Sequence, residues 1–357
     1  MIESQSIAAI VVAFAVTVIF MVSLRPIARS TGFVDRPGGR KSHVGDVPVV
    51  GGVAMFAGLV AGFSVLNGAV GIDISLLIAS GLLIFVGILD DKYELPPSVR
   101  LITQIVVVLL MVFGARLMLA DIGDPFGTGV ITLGRGALIF TTLVVVTMIN
   151  AYNFVDGMDG LSGSLALIAF LALAVVGGMD HASSVVALVA SAAVFGFLLF
   201  NFPVIWNRPV RSFMGDAGST LLGFTVVWVT LGISQGPTQL ISPVICLWFA
   251  SVPIYDFMTC FVRRAFAGKS PFTPGQDHFH HLLKRSGMGF RRVLGILTGL
   301  QVLYVLIALF AYRSGVPDVV MFSAWAVLGF SQRWIIHRTA RRHRAMSIRR
   351  RRLKTAV

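Results

Sequence analysis

An all-α, polytopic integral membrane protein with about 11 transmembrane helices is what this sequence predicts, and three observations predict it. Hydrophobic residues make up 56% of the 357-residue chain and charged residues only 13%, where soluble domains run nearer a quarter charged. Apolar runs of span length, about 20 residues each, follow one another along nearly the whole chain. Lys and Arg then sort onto alternate loops, as the excess of positive charge on cytoplasmic loops requires. A mean hydropathy of +0.87 leaves little sequence for a soluble domain.

Spans are expected at roughly 6–25, 48–66, 71–89, 100–118, 134–151, 161–178, 183–201, 217–234, 240–261, 293–312 and 316–335. The first run follows Glu3 rather than a basic segment, and no small-residue cleavage site follows it, so it reads as a membrane helix and not a signal peptide. Eleven spans put the termini on opposite sides. With the amino terminus outside (periplasmic) and the carboxyl terminus cytoplasmic, the inner loops and tail hold 26 of the 29 Lys and Arg residues. Only Arg116, Arg135 and Arg313 are left outside, a partition that a wrong span count would scramble. The organisation is therefore one transmembrane domain over 1–337 and a basic cytoplasmic tail over 338–357. That tail either fixes topology as a solvated end or anchors to phospholipid headgroups.

The formal charge of +13 is accounted for by topology, so no nucleic-acid partner is expected. Cys246 and Cys260, the only cysteines, fall within one predicted span. Fourteen residues of helix separate them by about 21 Å, too far for a disulfide. Neither shows metal-ligand spacing, and no role is expected for them.

Ten of the sixteen acidic residues fall on the inner face, many at span ends. A charge next to hydrocarbon is expensive and marks a functional site by default; for Asp35, Asp46 and Glu94, pairing with nearby basic residues accounts for them equally well. The segment Asn150–Ser164, NAYNFVDGMDGLSGS, lies between two apolar runs yet carries two amides, two carboxylates and three glycines. Asn150, Asn153, Asp156 and Asp159 recur every third residue, so in a helical turn they project from roughly one side. Oxygen ligands of this kind suit Mg²⁺ beside phosphates.

Asp90 and Asp91 end the third span, and adjacent side chains do not share a helix face, so the two should have different roles. Asp216, in SFMGDAGST, reads as a helix N-cap, a metal ligand, or both. His278, His280 and His281 lie in the fifth inner loop, in SPFTPGQDHFHHLLKR. With no cysteine nearby, phosphate or sugar oxygens suit them better than a transition metal. Arg40, Lys41 and His43 give the first inner loop the look of an anion site, although topology alone also explains its charge.

Together these motifs resemble the polyprenyl-phosphate N-acetylhexosamine-1-phosphate transferase family. DDKYELPPSVRLITQ, NAYNFVDGMDGLSGS, SFMGDAGSTLLGF and SPFTPGQDHFHHLL stand in the family's order and spacing. The resemblance implies a Mg²⁺- or Mn²⁺-dependent enzyme, its active site facing the cytoplasm from a bacterial inner membrane. It transfers GlcNAc-1-phosphate from UDP-GlcNAc to undecaprenyl phosphate, releases UMP, and begins a cell-surface polysaccharide such as O-antigen. It implies Asn153 and Asp216 as metal ligands, with Asp156 and Asp159 as nearby catalytic groups. Asp90 and Asp91 position or deprotonate the lipid phosphate. His278, His280 and His281 contact the nucleotide sugar, and Lys41 and His43 contact phosphate. Asn201 or Asn207 stands where a related enzyme has an inner-loop asparagine. Another UDP-sugar, such as a 6-deoxy-HexNAc or MurNAc-pentapeptide donor, and a cation-coupled transporter are the alternatives. The oligomeric state is left open, an oligomer included.

Overall fold

The computed structural model describes residues 2–36, 45–66, 73–202, 211–266, 268 and 278–355, with the side chains of 2, 337 and 339–355 left aside. Lys41, His43 and Asn207 lie outside the described residues. Helices dominate: α1 (Ile2–Thr31), α2 (Gly51–Val65), α3 (Ile74–Tyr93), α4 (Pro97–Leu109, continued by a π turn over Leu110–Gly114) and α5 (Ala137–Val155). They are followed by α6 (Leu161–Gly177), α7 (Ala182–Asn201), α8 (Gly215–Ser234), α9 (Pro243–Phe266), α10 (Phe279–Arg285), α11 (Phe290–Ser314) and α12 (Asp318–Thr355).

Among the described residues, nine helices are long and apolar enough to cross a membrane. The two remaining expected spans coincide with the shorter apolar helices α2 and α6. Every predicted span thus falls on a helix, and α10 is the histidine segment between two of them. Among the described residues, the one β-ladder in this helical fold is two-stranded and antiparallel, Val34–Asp35 against Val47–Pro48, with Val34 opposite Pro48. The Phe213 N–H donates to Pro48 O at 2.9 Å, so this ladder ties the segment between α1 and α2 to the entry of α8.

α8 is the centre of the bundle, with Phe224, Val226 and Val229 fully buried. α9 is irregular, tightening to a 3₁₀ turn over Leu247–Ala250. Pro253 causes the irregularity: it has no N–H to give the carbonyl of Phe249 four residues earlier. Backbone groups within a membrane must be satisfied by the protein itself. The fully buried Gln301 of α11 does this, donating from Nε2 to Phe249 O at 2.8 Å and Trp248 O at 3.2 Å. Its Oε1 accepts the Val252 N–H at 3.0 Å.

Candidate active site

The ends of α3, α5 and α9 meet the beginnings of α4, α6 and α8 at one end of the bundle. α3 contributes Asp90 and Asp91, which point apart as helix neighbours must. Asp90 is buried; its Oδ1 accepts the Leu95 N–H at 2.8 Å and its Oδ2 lies 3.2 Å from Nη1 of Arg100. Asp91 reaches α8 instead, its Oδ1 accepting the Asp216 N–H at 2.8 Å and its Oδ2 the Ala217 N–H at 3.5 Å. It caps a helix start from a neighbouring helix, satisfying N–H groups that have no partner within α8.

This corrects the expectation that Asp216 is itself the cap. The N-cap position is Met214, and Asp216 lies in the first turn. The close approach of Asp91 depends on Gly215, whose φ of +69° is a left-handed value that glycine adopts at least cost. A Cβ there would also strike Asp91 Oδ2.

Among the described residues the Asp216 carboxylate faces Asn153 and Arg100, with the Asp90 side chain beside it. Asp216 Oδ1 accepts from Nδ2 of Asn153 at 2.8 Å, and Asp216 Oδ2 lies 3.9 Å from Nη1 of Arg100. Asn153 also donates to Ser219 Oγ at 3.0 Å, which leaves its amide oxygen without a partner among the described residues. The expected single row from Asn150 to Asp159 does not form. α5 stops at Val155, Asp156 is its C-cap, and the chain turns before α6 starts at Leu161. Asn150 bonds Gln104 Oε1 at 2.8 Å on α4, whereas Asn153 bonds α8 and Asp156 and Asp159 sit on the turn. Burial, and then the negative charges of Asp216, Asp159 and Asp91, push the Asp156 carboxyl well above its ordinary range.

Asn201, named as a second asparagine of interest, is buried and braces the backbone. Its Oδ1 accepts the Gly160 N–H at 2.7 Å and its Nδ2 donates to Ser212 O at 2.9 Å.

α10 lays the histidines against this corner. The His280 ring covers Gly157, where a Cβ would come within 2.7 Å of His280 Cε1. His278 packs on Phe154 with ring centroids 5.5 Å apart. Both histidines are buried, while His281 is half-buried beside His280, ring centroids 4.1 Å apart. Burial, then the neighbouring charges of His281, His278 and Lys284, holds His280 well below its ordinary pKa, and burial also lowers His281.

His278 behaves oppositely, and the reason was missed from sequence. Its Nδ1 lies 2.8 Å from Asp256 Oδ2 and 3.5 Å from Cys260 Sγ, and Asp256 Oδ1 accepts the Phe279 N–H at 2.7 Å. Burial pulls the His278 pKa down, but the bond to Asp256, helped by Cys260, reverses this and lifts it to about 10. The expectation that no cysteine lies near the histidines is therefore wrong. Asp256 and Cys260 stand at i and i+4 on α9, a same-face spacing that was the available signal. These three are the group of described residues whose ligand atoms, within 4.8 Å of one another, converge enough for a metal. The 2.8 Å contact is a hydrogen bond, and the Asp/Cys/His set does not suit Mg²⁺.

A cleft of about 170 Å³ opens at the corner, lined among others by Asp90, Arg100, Gln104, Asn150, Asn153 and Asp216. Arg100, expected only as one of the inner-loop cations that set the topology, lines it.

Comparison with known proteins bears on this geometry. Residues 74–234, which carry the cleft but not the histidine helix, match the Glycosyl transferase family 4 model. The chain is similar to the undecaprenyl-phosphate alpha-N-acetylglucosaminyl 1-phosphate transferase of Escherichia coli (strain K12), 35% identical over 329 residues, covering 91% of this chain and 89% of that one. The protein of that name from Yersinia pestis is 34% identical, covering 96% and 94%. Its counterpart in Haemophilus influenzae is 33% identical over 357 residues, covering 97% and 99%. Each of these relatives is matched over more than nine tenths of this chain, and the chain belongs to the polyprenyl-phosphate N-acetylhexosamine-1-phosphate transferase family, as a glycosyl-1-phosphate transferase.

Proposed function

We propose that the protein transfers GlcNAc-1-phosphate from UDP-GlcNAc to undecaprenyl phosphate at the cytoplasmic face of a bacterial inner membrane. The products are undecaprenyl-pyrophosphoryl-GlcNAc and UMP, and the lipid-linked sugar starts a cell-surface polysaccharide such as O-antigen. One observation carries the reading: Asp90, Asn153, Asp216 and Arg100 share a cleft at one end of an apolar helical bundle, where a lipid phosphate can meet a soluble nucleotide. The names of the relatives support the acceptor and the transferred group. Acids gathered at one end of the spans favour transfer over cation-coupled transport, which places its sites near the midplane.

In this reaction an oxygen of the lipid phosphate bonds to the sugar-bound phosphorus. The bond from that phosphorus to the bridging oxygen breaks, and UMP departs with the electron pair. The nucleophile is already an anion, so no serine or cysteine is required; the site must position two anions and neutralise their charge. Crowded carboxylates and an Asn153 oxygen unpartnered among the described residues fit a hard divalent cation, Mg²⁺ or Mn²⁺, held by Asn153 and Asp216 with Asp156 and Asp159 close by. Such an ion, when bound, supplies the charge that draws the phosphates together.

The remaining residues take supporting parts. Asp91 fixes the start of α8 and so aims Asp216, and Asp90 fixes Arg100. His278, His280 and His281 face the nucleotide sugar, with Lys41 and His43 on phosphate from the first inner loop. An apolar groove of about 410 Å³ lined by Leu143, Thr147, Val227, Leu231, Ile254 and Trp325 suits the polyprenyl chain. Leu143 and Thr147 share a stripe of α5 with Asn150 and Phe154, so the groove leads toward the cleft. The test is UMP release by purified protein from a panel of UDP-sugars with and without undecaprenyl phosphate. UDP-GlcNAc should be turned over fastest, and turnover without the lipid or equal turnover of every donor contradicts the reading.

A further inference from the structure

Arg100 has more binding capacity than its protein partners use. A guanidinium carries five N–H donors in a planar fork. Among the described residues its acidic partners, Asp90 at 3.2 Å and Asp216 at 3.9 Å, engage Nη1 alone. The side chain is 39% exposed, so Nε and Nη2 remain for a ligand. The guanidinium is thus anchored at one nitrogen by a buried carboxylate and presents its other donors to the cleft.

The cleft is built for an anion that hangs from an apolar body. Leu83, Val86, Leu101 and Phe154 wall it, and Gln104 and Asn150 add amides. Leu101 of α4 both lines the cleft and is 39% exposed, so an apolar side chain of the cleft wall also reaches the outer surface of the bundle. In a membrane such surfaces face hydrocarbon, and the cleft can be entered from the side. Phe154 then divides the site in two. It lines this cleft and also packs on His278, whose helix carries the other histidines. Asn153 and Asp216 lie at the seam between an Arg100 half and a histidine half.

We propose that Arg100 binds the phosphate of the lipid acceptor, in a laterally open cleft between α3, α4 and α5 that is separate from the donor's side of the site. The proposal rests on the transferase reading above and adds the residue that recognises the acceptor. A bidentate contact from the free edge of the guanidinium to a phosphate monoester is the expected interaction, and Arg suits it better than Lys.

The experiment uses the full-length protein in nanodiscs, with Arg100→Gln and Arg100→Lys variants. Kinetic constants are measured separately for acceptor and donor, and binding of farnesyl phosphate is compared with farnesol by native mass spectrometry. Arg100→Gln should raise the acceptor KM by about tenfold or more, the effect of losing a charge-assisted contact, while the donor KM changes less than about twofold. Arg100→Lys should recover part of the loss, and farnesyl phosphate should outbind farnesol only when position 100 is cationic. A fall in kcat with both KM values unchanged, or a rise in donor KM alone, overturns the proposal, because Arg100 would then merely brace Asp90 or serve the donor. Binding of farnesyl phosphate that depends on Arg100, in a wild-type protein that transfers no sugar phosphate, would sink the transferase reading and leave this assignment standing.

Discussion

The carboxylate of Asp91 holds the backbone of Asp216: the Asp216 N–H donates to Asp91 Oδ1 at 2.8 Å, across 125 positions of sequence. One acid of the doublet therefore aims the acid on α8, while its neighbour Asp90 grips Arg100. In the proposed reaction Asp91 is a positioning residue. Asp91→Asn keeps an acceptor oxygen and should stay close to wild type in thermal stability, whereas Asp91→Ala should lose about 1 kcal/mol, the worth of a helix cap. Activity should follow the same order, with Asp91→Asn far more active than Asp216→Asn. An Asp91→Asn enzyme as inactive as Asp216→Asn would show that the charge itself takes part in the reaction.

Gly157 is pressed by the His280 ring. Gly157→Ala should overpack this contact at a cost of about 1–3 kcal/mol and push α10 from the acidic turn. The donor KM should rise with little change in acceptor KM. Pairing Gly157→Ala with His280→Ala makes room again, so stability should return toward that of His280→Ala alone. A double variant that shows the two losses simply added would mean the residues do not touch.

The His278–Asp256 pair sets a pH dependence whose sign is fixed by its direction. The folded protein holds His278 protonated to about pH 10, against an ordinary histidine value near 6.5. The pair's stabilisation is fully present below pH 6.5 and is lost as pH rises toward 10, because the folded state binds the extra proton. Asp256→Asn should remove this slope between about pH 6.5 and 10 and destabilise the protein by about 3 kcal/mol at neutral pH, as breaking a buried pair does. Thermal unfolding across that range checks it. A variant with the wild-type slope would place the proton elsewhere.

Gln301 and Pro253 form a matched set, the proline freeing the carbonyl that the glutamine satisfies. Gln301→Leu should cost about 2 kcal/mol by leaving buried backbone groups unpaired. Adding Pro253→Ala restores an N–H that can bond Phe249 O, and should recover part of the loss in a thermal melt. No recovery would show that the irregular turn has another cause.

The helices were legible in the sequence because hydrocarbon imposes a length and an apolar composition on every span. Asp90, Asp91, Asn153 and Asp216 were legible because polar groups at the ends of apolar runs have few plain explanations. Local spacing misled where the chain stopped being helical, and the every-third pattern from Asn150 to Asp159 crosses a turn between two helices. Contacts across the fold left fainter traces. Asp256 and Cys260 are 22 and 18 positions from His278, and Arg100 looked like one more cytoplasmic charge until α4 placed it beside Asp90. Asp91 as a cap for another helix has no sequence signature, since capping patterns are local.

The central claim, that Asp216 and Asn153 hold a divalent cation at which GlcNAc-1-phosphate passes to the lipid, is tested most directly by titrating Mg²⁺ into chelated enzyme. UMP release from UDP-GlcNAc with undecaprenyl phosphate is followed for wild type and Asp216→Asn. Wild type should regain full activity as Mg²⁺ is restored, and the variant should need far more Mg²⁺ and stay about a hundredfold or more slower, as loss of a ligand implies. Turnover that survives the chelator, or an Asp216→Asn enzyme with the wild-type rate and Mg²⁺ response, would contradict the account.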